Sequence, residues 1–330
     1  MSSYRALSVN RVGGTAVCEH IMLDSDNLPA SDVLIEVKYS ALNYVDALVL
    51  AGIYDADYPI TPGIDAAGIV LRSNDEQFHE GDEVIVTGNG LGKTLHGGMG
   101  GYISVPAHIV TALPVGLSMQ TAMTLGTAGI AAAIGVMDFM NSGVLPKEHK
   151  IAVTGASFST GAVATAVLSC VGYNVTAYVR DVKDAGDYVK KLGAKDVLPI
   201  ENLYGARDLM YAKAPLYDGI FDIMADDVLS CALKHANYNS TVVLAGYDQK
   251  PEIFTTIYPF LDRGINLMGA NAIWCSPSVK RKAWQHLASD WHVPQLEWLC
   301  TEVALIEVGD YVQMVLEKKA KGRIVVNHKA

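Results

Sequence analysis

The stretch from residue 151 to residue 179 constrains the fold more than any other part of the chain, because it contains no charged side chain. It reads IAVTGASFSTGAVATAVLSCVGYNVTAYV, which is typical of an apolar strand, a turn, an apolar helix and a second strand. Gly155, Gly161 and Gly172 interrupt it, and its scattered Ser, Thr and Asn residues argue against a membrane span. A strand, helix and strand buried in a parallel sheet need no charges, so the stretch predicts a βαβ unit inside an α/β domain.

The rest of the chain divides into two patterns. Before about residue 118 it reads as short strands separated by turns, which predicts a small, mostly antiparallel β domain. Residues 119–140 have helical spacing with only Asp138 charged, which indicates a buried helix. The tail ends with a strand after Gly322 that we expect to return to the β domain. Strands alternating with helices, as in a doubly wound parallel sheet, are predicted at Ile151–Thr154, Val175–Val179, Ala194–Leu198, Gly219–Met224, Thr241–Ala245 and Ile265–Met268.

Composition narrows the class of partner. The chain has 330 residues and a formal net charge of −10, which argues against nucleic acid or an anionic membrane surface as the main partner. Its 5 cysteines are far apart and form no CxxC pair, so neither a disulfide framework nor a structural zinc site is expected. The first residues, MSSYRALSVN, lack the apolar core of a signal peptide, so we expect a cytoplasmic protein.

The turn GASFSTG, residues 155–161, has the context of a dinucleotide-binding turn, because a helix N-terminus offers N–H groups to phosphate. In G-x-G-x-x-G spacing that ends at Gly161, however, Ala156 and Phe158 replace the first two glycines. A dinucleotide bound loosely and an α/β domain that binds none both remain open from this stretch. The hydroxyls that could donate to phosphate oxygens belong to Ser157, Ser159 and Thr160.

The end of the second strand predicts how the adenine ribose would be recognised. Arg180 suits the 2′-phosphate of NADP, and the adjacent Asp181 suits the free 2′-hydroxyl of NAD. Arg180 favours NADP, but either residue could instead be a surface charge at a strand end.

Motifs along the whole chain resemble one family. ALNYVDALVLAGIY, PITPGIDAAGIV, HEGDEVIVTG, TLGTAGIAAAIGVM, IAVTGAS, LGAKDVLP and KGRIVV occur in the order found in zinc-free medium-chain dehydrogenase/reductases. The chain is most similar to the acrylyl-CoA reductase branch of their quinone oxidoreductase group. This resemblance implies an α/β protein with a GroES-like, β-rich catalytic domain of residues 1–118 and 293–330. A Rossmann domain with a doubly wound parallel sheet, residues 119–292, would lie between these segments, and we expect a homodimer.

The resemblance also implies NADPH and the reduction of an activated C=C bond, with acrylyl-CoA giving propionyl-CoA. Three positions depart from the family pattern on the cofactor side: the turn SFSTG, Ile200 in place of an arginine, and Asn239-Ser240 in place of two glycines. The family's cofactor contacts map to Tyr44, Thr127 near the nicotinamide, Ser157, Phe158, Ser159, Thr160, Val179, Arg180, Tyr247, Leu261, Ala272 and Lys318.

Zinc-dependent relatives carry a cysteine near residue 43 and Gly-His-Glu near residue 63. This chain has Asn43 and Gly63-Ile64-Asp65 there, so without soft ligands we expect no metal. His96 is predicted to lie in a loop beside two glycines, where a histidine is more often solvated than a ligand or a catalytic group.

Hydride transfer to a β-carbon leaves an enolate that needs stabilisation at oxygen and a proton at the α-carbon. We predict that Tyr44 orders nicotinamide and substrate and relays the proton, that Asn43 donates a hydrogen bond, and that Asp46 orients the Tyr44 region. Core packing is the alternative for Tyr44. A quinone or enone reductase of the same fold, and a non-catalytic binding protein with a degenerate cofactor turn, are the alternative functions.

Overall fold

The computed structural model describes residues 3–206, 210–212, 216–247, 252–294 and 296–329. Its strands are β1 (Ser3–Val12), β2 (Thr15–Asp24), β3 (Val33–Leu42), β4 (Asp65–Ser73), β5 (Glu83–Thr87), β6 (Tyr102–Val105), β7 (Val110–Ala112), β8 (Lys150–Thr154), β9 (Asn174–Val179), β10 (Asp196–Pro199), β11 (Tyr217–Asp222), β12 (Ala236–Leu244), β13 (Asn266–Gly269), β14 (Cys300–Ala304) and β15 (Arg323–Asn327). Its helices are α1 (Tyr44–Leu50), α2 (Met119–Asn141), α3 (Ser159–Val171), α4 (Val182–Lys191), α5 (Glu201–Tyr204), α6 (Asp226–Ala232), α7 (Tyr258–Arg263), α8 (Pro277–Ala288), α9 (Leu296–Leu299) and α10 (Val308–Leu316). Short 3-10 turns cover Ser25–Asn27, Ala107–Ile109, Leu233–His235 and Leu305–Glu307.

The chain forms two compact units. The first unit comprises Met1–Thr127, Ile273–Trp284 and Cys300–Ala330, and the second comprises Ala128–Ala272 and Gln285–Leu299. The predicted domain ranges differ from these units at their edges and in Ile273–Trp284. As bounds of functional domains, those ranges stay a prediction.

The second unit contains a parallel sheet with strand order β10-β9-β8-β11-β12-β13. Its central strands are buried on both faces, and Ile151, Val153 and Val243 are fully enclosed. The predicted doubly wound sheet and the predicted βαβ unit, now β8, α3 and β9, are therefore confirmed. Because the strands run in the same direction, their carboxyl ends share one edge, which is where such sheets bind ligands.

The first unit is built on a sheet of order β14-β15-β3-β4-β5-β7, in which β6 also pairs with β3. Apolar residues alternate along β3, so Val33, Ile35 and Val37 enter a core that also contains Val84 and Ile103. The strand predicted for the tail is confirmed, since β15 pairs antiparallel with β3. The last strand of the chain therefore lies directly beside the strand that leads into α1.

Helix α2 is the buried helix that the sequence predicted. It kinks at Gly126, whose backbone angles, φ 51° and ψ −149°, are not helical. Among the described residues it is the one helix long and apolar enough to cross a membrane, but most of it is buried inside the protein. The core helices of globular proteins have the same composition, so this feature is weak evidence for a membrane span.

Candidate active site and dinucleotide turn

The start of α1 is fixed by two hydrogen bonds from Asn43 to Asp46. Asn43 has an extended backbone, φ −97° and ψ 166°, and directly precedes the helix. Its N–H donates to Oδ2 of Asp46 at 2.8 Å, and its side-chain Nδ2 donates to the same oxygen at 3.1 Å. An asparagine before the helix and an acidic residue three positions later satisfy donors that the first turn leaves open. The cap therefore fixes where Tyr44, the first helical residue, begins.

Asp46 is a buried carboxylate, 1% exposed. Its other oxygen, Oδ1, accepts from the N–H groups of Gly63 at 3.1 Å and Ile64 at 2.9 Å. The pKa of Asp46 is raised to about 7, first by burial and then by nearby Asp65, with the hydrogen bonds from Asn43 and Ile64 acting in the opposite direction. Asp46 thus joins α1 to the Gly63-Ile64 segment, as the prediction that it orients the Tyr44 region requires.

Asp65 is the centre of a buried cluster that also contains Asn43, Asp46, Thr127 and Arg323. Sequence reasoning did not include Asp65 among the site residues. Its Oδ2 accepts from Nδ2 of Asn43 at 3.0 Å and from the N–H of Thr127 at 3.0 Å. The Thr127 hydroxyl also donates to Oδ1. Asn43 therefore donates to both carboxylates, and Thr127 donates to Asp65 through backbone and side chain.

Arg323 provides the cation of this cluster. Its Nη2 lies 3.5 Å from Oδ2 of Asp65, both side chains are fully buried, and its Nε donates to the carbonyl of Thr124 at 3.2 Å. Burial lowers the pKa of the Arg323 guanidinium, and Asp65 acts in the opposite direction. A signal for both residues exists in the sequence: each is a charge at the start of a short apolar run, DAAGIV and RIVV.

The kink at Gly126 brings Thr127 to Asp65. Its φ of +51° lies in the left-handed region that favours glycine. A Cβ built on Gly126 would lie 2.4 Å from Oδ2 of Asp65 and 3.1 Å from Nη2 of Arg323. Only glycine therefore fits both the backbone angle and the space beside the ion pair.

Tyr44 is half-buried at the start of α1, and α10 packs against this helix. The Nζ atom of Lys318 lies 5.2 Å from the centroid of the Tyr44 ring. Lys318 is 9% exposed. The structure thus brings together five predicted residues in the first unit: Asn43, Tyr44, Asp46, Thr127 and Lys318.

His96 is held by the backbone. Its Nδ1 accepts the N–H of Thr61 at 3.2 Å, and burial lowers its pKa. Among the described residues, no group of three or more His, Cys, Asp and Glu side chains could hold a metal ion. The carboxylates near residues 43 and 63 accept hydrogen bonds from Asn43, Gly63, Ile64 and Thr127. The expected absence of a metal stays a prediction, which elemental analysis tests.

In the second unit, the turn before α3 is formed by different residues from those that the spacing indicated. Gly155, not Ala156, makes the tight turn, with φ +61°, and a Cβ on Gly161 would lie 2.2 Å from the carbonyl oxygen of Gly155. Phe158 precedes the helix, donates its N–H to that same oxygen at 3.1 Å, and is 5% exposed. A ring buried in protein does not occupy the open space that a phosphate needs.

Ser157 and Thr160 are half-buried beside this turn, and Ser159, the first residue of α3, has φ +34° and is 8% exposed. Arg180 is exposed and directly follows β9, which ends at Val179. The neighbouring Asp181 instead caps α4, since its carboxylate accepts from the N–H groups of Lys183 and Asp184. This use of Asp181 leaves Arg180 as the residue at this strand end that suits a ribose phosphate.

Three further predicted cofactor residues lie in the second unit. Tyr247 follows β12 and is 37% exposed, Ala272 follows β13 and is buried, and Leu261 is exposed on α7. Sequence reasoning missed Asp222 at the carboxyl end of β11, which is fully buried and accepts from the Thr154 hydroxyl at 2.6 Å. This pair ties the ends of β11 and β8 together at the ligand edge of the sheet.

Residues 29–115 match the family model described as the alcohol dehydrogenase GroES-like domain. The chain is 36% identical over 307 residues to YhfP of Bacillus subtilis, which is named a quinone oxidoreductase, and 92% of each chain is covered. It is 32% identical over 311 residues to the acrylyl-CoA reductase AcuI of Ruegeria pomeroyi, again with 92% of each chain covered.

Solved structures agree with these likenesses. The structure of B. subtilis YhfP with NAD bound has a TM-score of 0.95 at 34% identity and covers 99% of this chain and 100% of that one. The structure of Escherichia coli K-12 YhdH with bound NADPH has a TM-score of 0.93 at 34% identity, covering 98% of this chain and 99% of that one. Two relatives of equal identity therefore hold different nicotinamide dinucleotides.

Proposed function

The chain belongs to the zinc-free medium-chain dehydrogenase/reductases, in the acrylyl-CoA reductase branch of their quinone oxidoreductase group, and we propose that it reduces an activated C=C bond with NADPH. The substrate is an enoyl thioester, and acrylyl-CoA, giving propionyl-CoA, is the first choice. The observation that carries this proposal is the buried cluster of Asn43, Asp46, Asp65 and Thr127, which fixes the start of α1 and therefore Tyr44. The full-length likeness to AcuI supports the substrate class.

The second unit fits a dinucleotide. The close approach of Gly161 to Gly155 leaves no room for a Cβ, as the turn of a dinucleotide-binding βαβ unit requires. The N-terminus of α3 and the hydroxyls of Ser157, Ser159 and Thr160 would hold the pyrophosphate. Arg180 would pair with the 2′-phosphate, which favours NADP over NAD. Val179, Tyr247, Leu261 and Ala272 would contact the rest of the cofactor.

When bound, NADPH supplies a hydride to the β-carbon of the double bond, which leaves an enolate that must be protonated at the α-carbon. The Tyr44 hydroxyl is the proton donor in our proposal, and its oxygen is reprotonated from solvent. Asn43, which is 7% exposed, already donates through Nδ2 to Asp46 and Asp65. We therefore assign Asn43 and Asp46 to holding Tyr44 rather than to contacting substrate.

The same experiments test two alternative functions. A quinone or enone reductase is favoured by the likeness to YhfP, which is named a quinone oxidoreductase. A non-catalytic binding protein is favoured by the turn, in which Phe158 replaces a glycine of the family pattern. The intact Tyr44 segment, in which Asn43 and Asp46 hold the start of α1, argues against the second alternative.

A homodimer in the cytoplasm, without nucleic-acid or membrane partners, completes the proposal. Strand β13 is the edge of the second unit's sheet, and all four of its residues are exposed. An exposed edge strand with Leu267 and Met268 on it can pair with a second copy. Size-exclusion chromatography with light scattering tests the dimer.

The deciding experiment is an assay of NADPH and NADH oxidation with acrylyl-CoA, longer enoyl-CoA thioesters and quinones. We expect turnover with NADPH and a short enoyl thioester, and a loss of about 100-fold in kcat for Tyr44→Phe, because a positioned proton donor contributes on this scale. Tyr4→Phe, which changes a buried tyrosine in β1, is the control and should keep full turnover. Turnover with quinones alone would favour the first alternative. Absence of any nicotinamide binding would favour the second.

A further inference from the structure

Lys318 occupies a backbone position that glycine normally fills. Helix α10 ends at Leu316, Glu317 is its C-cap, and Lys318 follows with φ +52°. Its N–H donates to the carbonyl of Val315 at 3.1 Å, and the N–H of Lys319 donates to that of Met314 at 2.8 Å. This is the left-handed ending in which a side chain is unfavourable and glycine is preferred. A non-glycine residue held there is an outlier that calls for a reason beyond local structure.

The side chain of Lys318 supplies that reason. A lysine after a surface helix would normally extend its ammonium into water, but Lys318 is 9% exposed. Its Nζ lies 5.2 Å from the centroid of the Tyr44 ring, within the range of a cation–π contact. Since α10 packs against α1, the helix ending places the ammonium on the first residue of α1.

We infer that Lys318 is a positioning residue that acts through Tyr44: its ammonium holds the ring and stabilises the negative charge that develops on the phenol oxygen. This inference depends on the proposed function, because it concerns the proton that Tyr44 gives to the α-carbon. As the O–H bond of Tyr44 breaks and a C–H bond forms, the electron pair of the O–H bond stays on the phenol oxygen. A cation beside the ring favours that charge, and a neutral side chain of the same length does not.

A positioning role for Lys318 and a direct contact with the cofactor would have different kinetic effects. A lysine that only binds NADPH would raise the Kd and KM for NADPH and leave kcat at saturating NADPH unchanged. A lysine that acts through Tyr44 would lower kcat and leave NADPH binding nearly unchanged. Its effect would also disappear once the Tyr44 hydroxyl is absent, because the two residues then no longer act on one step.

The experiment is a double-mutant cycle with Tyr44→Phe and Lys318→Met, measured at saturating NADPH, with NADPH affinity followed separately by fluorescence titration. We expect Lys318→Met to lower kcat about 10-fold, the scale of a well-placed cation–π contact, and to change the NADPH Kd less than about 2-fold. The solvent deuterium isotope effect on kcat should increase in Lys318→Met, because proton transfer becomes slower than hydride transfer. Lys318→Arg should recover most of the rate, and Lys318→Met should have little further effect in the Tyr44→Phe background.

Three results would overturn the inference: a kcat of Lys318→Met equal to that of the wild type, a weaker NADPH affinity with kcat unchanged, or fully additive losses in the double variant. Wild-type protein that binds NADPH but turns over no enoyl thioester or quinone would instead overturn the proposed function. Wild-type turnover with an unaffected Lys318→Met rejects only the role of Lys318, so the two failures are distinguishable.

Discussion

The cluster around Asp65 and the turn before α3 differ in how far their polar side chains are buried and hydrogen-bonded. In the cluster, two buried carboxylates accept hydrogen bonds from Asn43, Thr127 and the Gly63-Ile64 backbone, with Arg323 as the counter-ion. In the turn, the side chains of Ser157 and Thr160 are half-exposed and no residue from 155 to 161 is charged. The polar groups of the cluster therefore satisfy one another, whereas in our proposal the hydroxyls of the turn bind the cofactor.

The two regions also differ in how far apart their partners lie in the chain. Asn43 and Asp65 are 22 residues apart, Asp65 and Thr127 are 62 apart, and Asp65 and Arg323 are 258 apart. The turn is formed by neighbours, since Phe158 donates to Gly155 and Gly161 packs on the same carbonyl. Substitutions in the cluster should thus damage the fold, and substitutions of the half-exposed Ser157 and Thr160 in the turn should mainly change binding.

The largest effect that we expect is on stability, for Arg323→Met. Asp65 would then keep a fully buried carboxylate without its cation, and breaking a buried pair costs about 3–5 kcal/mol of the free energy of unfolding. Urea denaturation followed by tryptophan fluorescence measures the loss. Arg72→Met, which removes an exposed arginine from β4, is the matched control and should change stability by less than about 0.5 kcal/mol. Equal losses of stability in the two variants would show that the buried ion pair contributes no more to the fold than an exposed arginine does.

Phe158→Gly tests whether the turn belongs wholly to binding. The family pattern favours glycine there, and from the sequence we would expect it to tighten NADPH. Because the Phe158 ring is 5% exposed, we now expect the variant to lose about 3 kcal/mol of stability and to bind NADPH no more tightly. Thermal unfolding with and without NADPH, and fluorescence titration, measure both quantities. Phe158→Leu, which keeps a buried apolar side chain, is the control, and tighter binding by Phe158→Gly would restore the expectation from sequence.

Arg180→Ala should change cofactor choice without changing the fold. We expect the binding free energy of NADPH to weaken by about 1.5–3 kcal/mol, as for a charge-assisted hydrogen bond, and that of NADH to stay nearly constant. Isothermal titration with both cofactors measures the difference, with Lys190→Ala on the exposed face of α4 as a charge-matched control. Equal losses for NADPH and NADH would show that the ribose is recognised by other residues.

The smallest effect, for a change of one pH unit, is the effect of pH on stability. The pKa of Asp46 is raised by burial to about 7 in the folded protein, from an ordinary value of 3.8. The folded state therefore binds a proton that the unfolded state releases, so this group's contribution to stability falls as pH rises from about 4 to about 7 and is constant above. The slope is at most about 1.4 kcal/mol per pH unit. The urea midpoint of Asp46→Asn, relative to that of the wild type, should therefore increase as pH rises from about 4 to about 7. A difference between the two midpoints that does not change with pH would contradict the assignment.

What the sequence could predict follows the same division between local and distant contacts. Hydrophobic periodicity located β8 to β13, the buried helix α2 and the returning strand β15, because each depends on local pattern. The quoted motifs predicted Tyr44, Asn43 and Asp46 as site residues, and their catalytic roles stay predictions. The partners of Asp65 were not predictable, because no local pattern links it to Gly126 or to Arg323. The burial of Phe158 and the use of Asp181 as a helix cap likewise depend on backbone geometry that spacing rules do not contain.

The ion pair between Asp65 and Arg323 has a consequence for synthesis of the chain on the ribosome. The second unit ends at Leu299, whereas the first unit needs Cys300–Ala330, which contains Arg323. Until Arg323 leaves the exit tunnel, the nascent first unit would have to bury the Asp65 carboxylate without its cation, at a cost of about 3–5 kcal/mol, which is a large fraction of the stability of a domain. The unit whose translation begins first is therefore the one that completes its folding last.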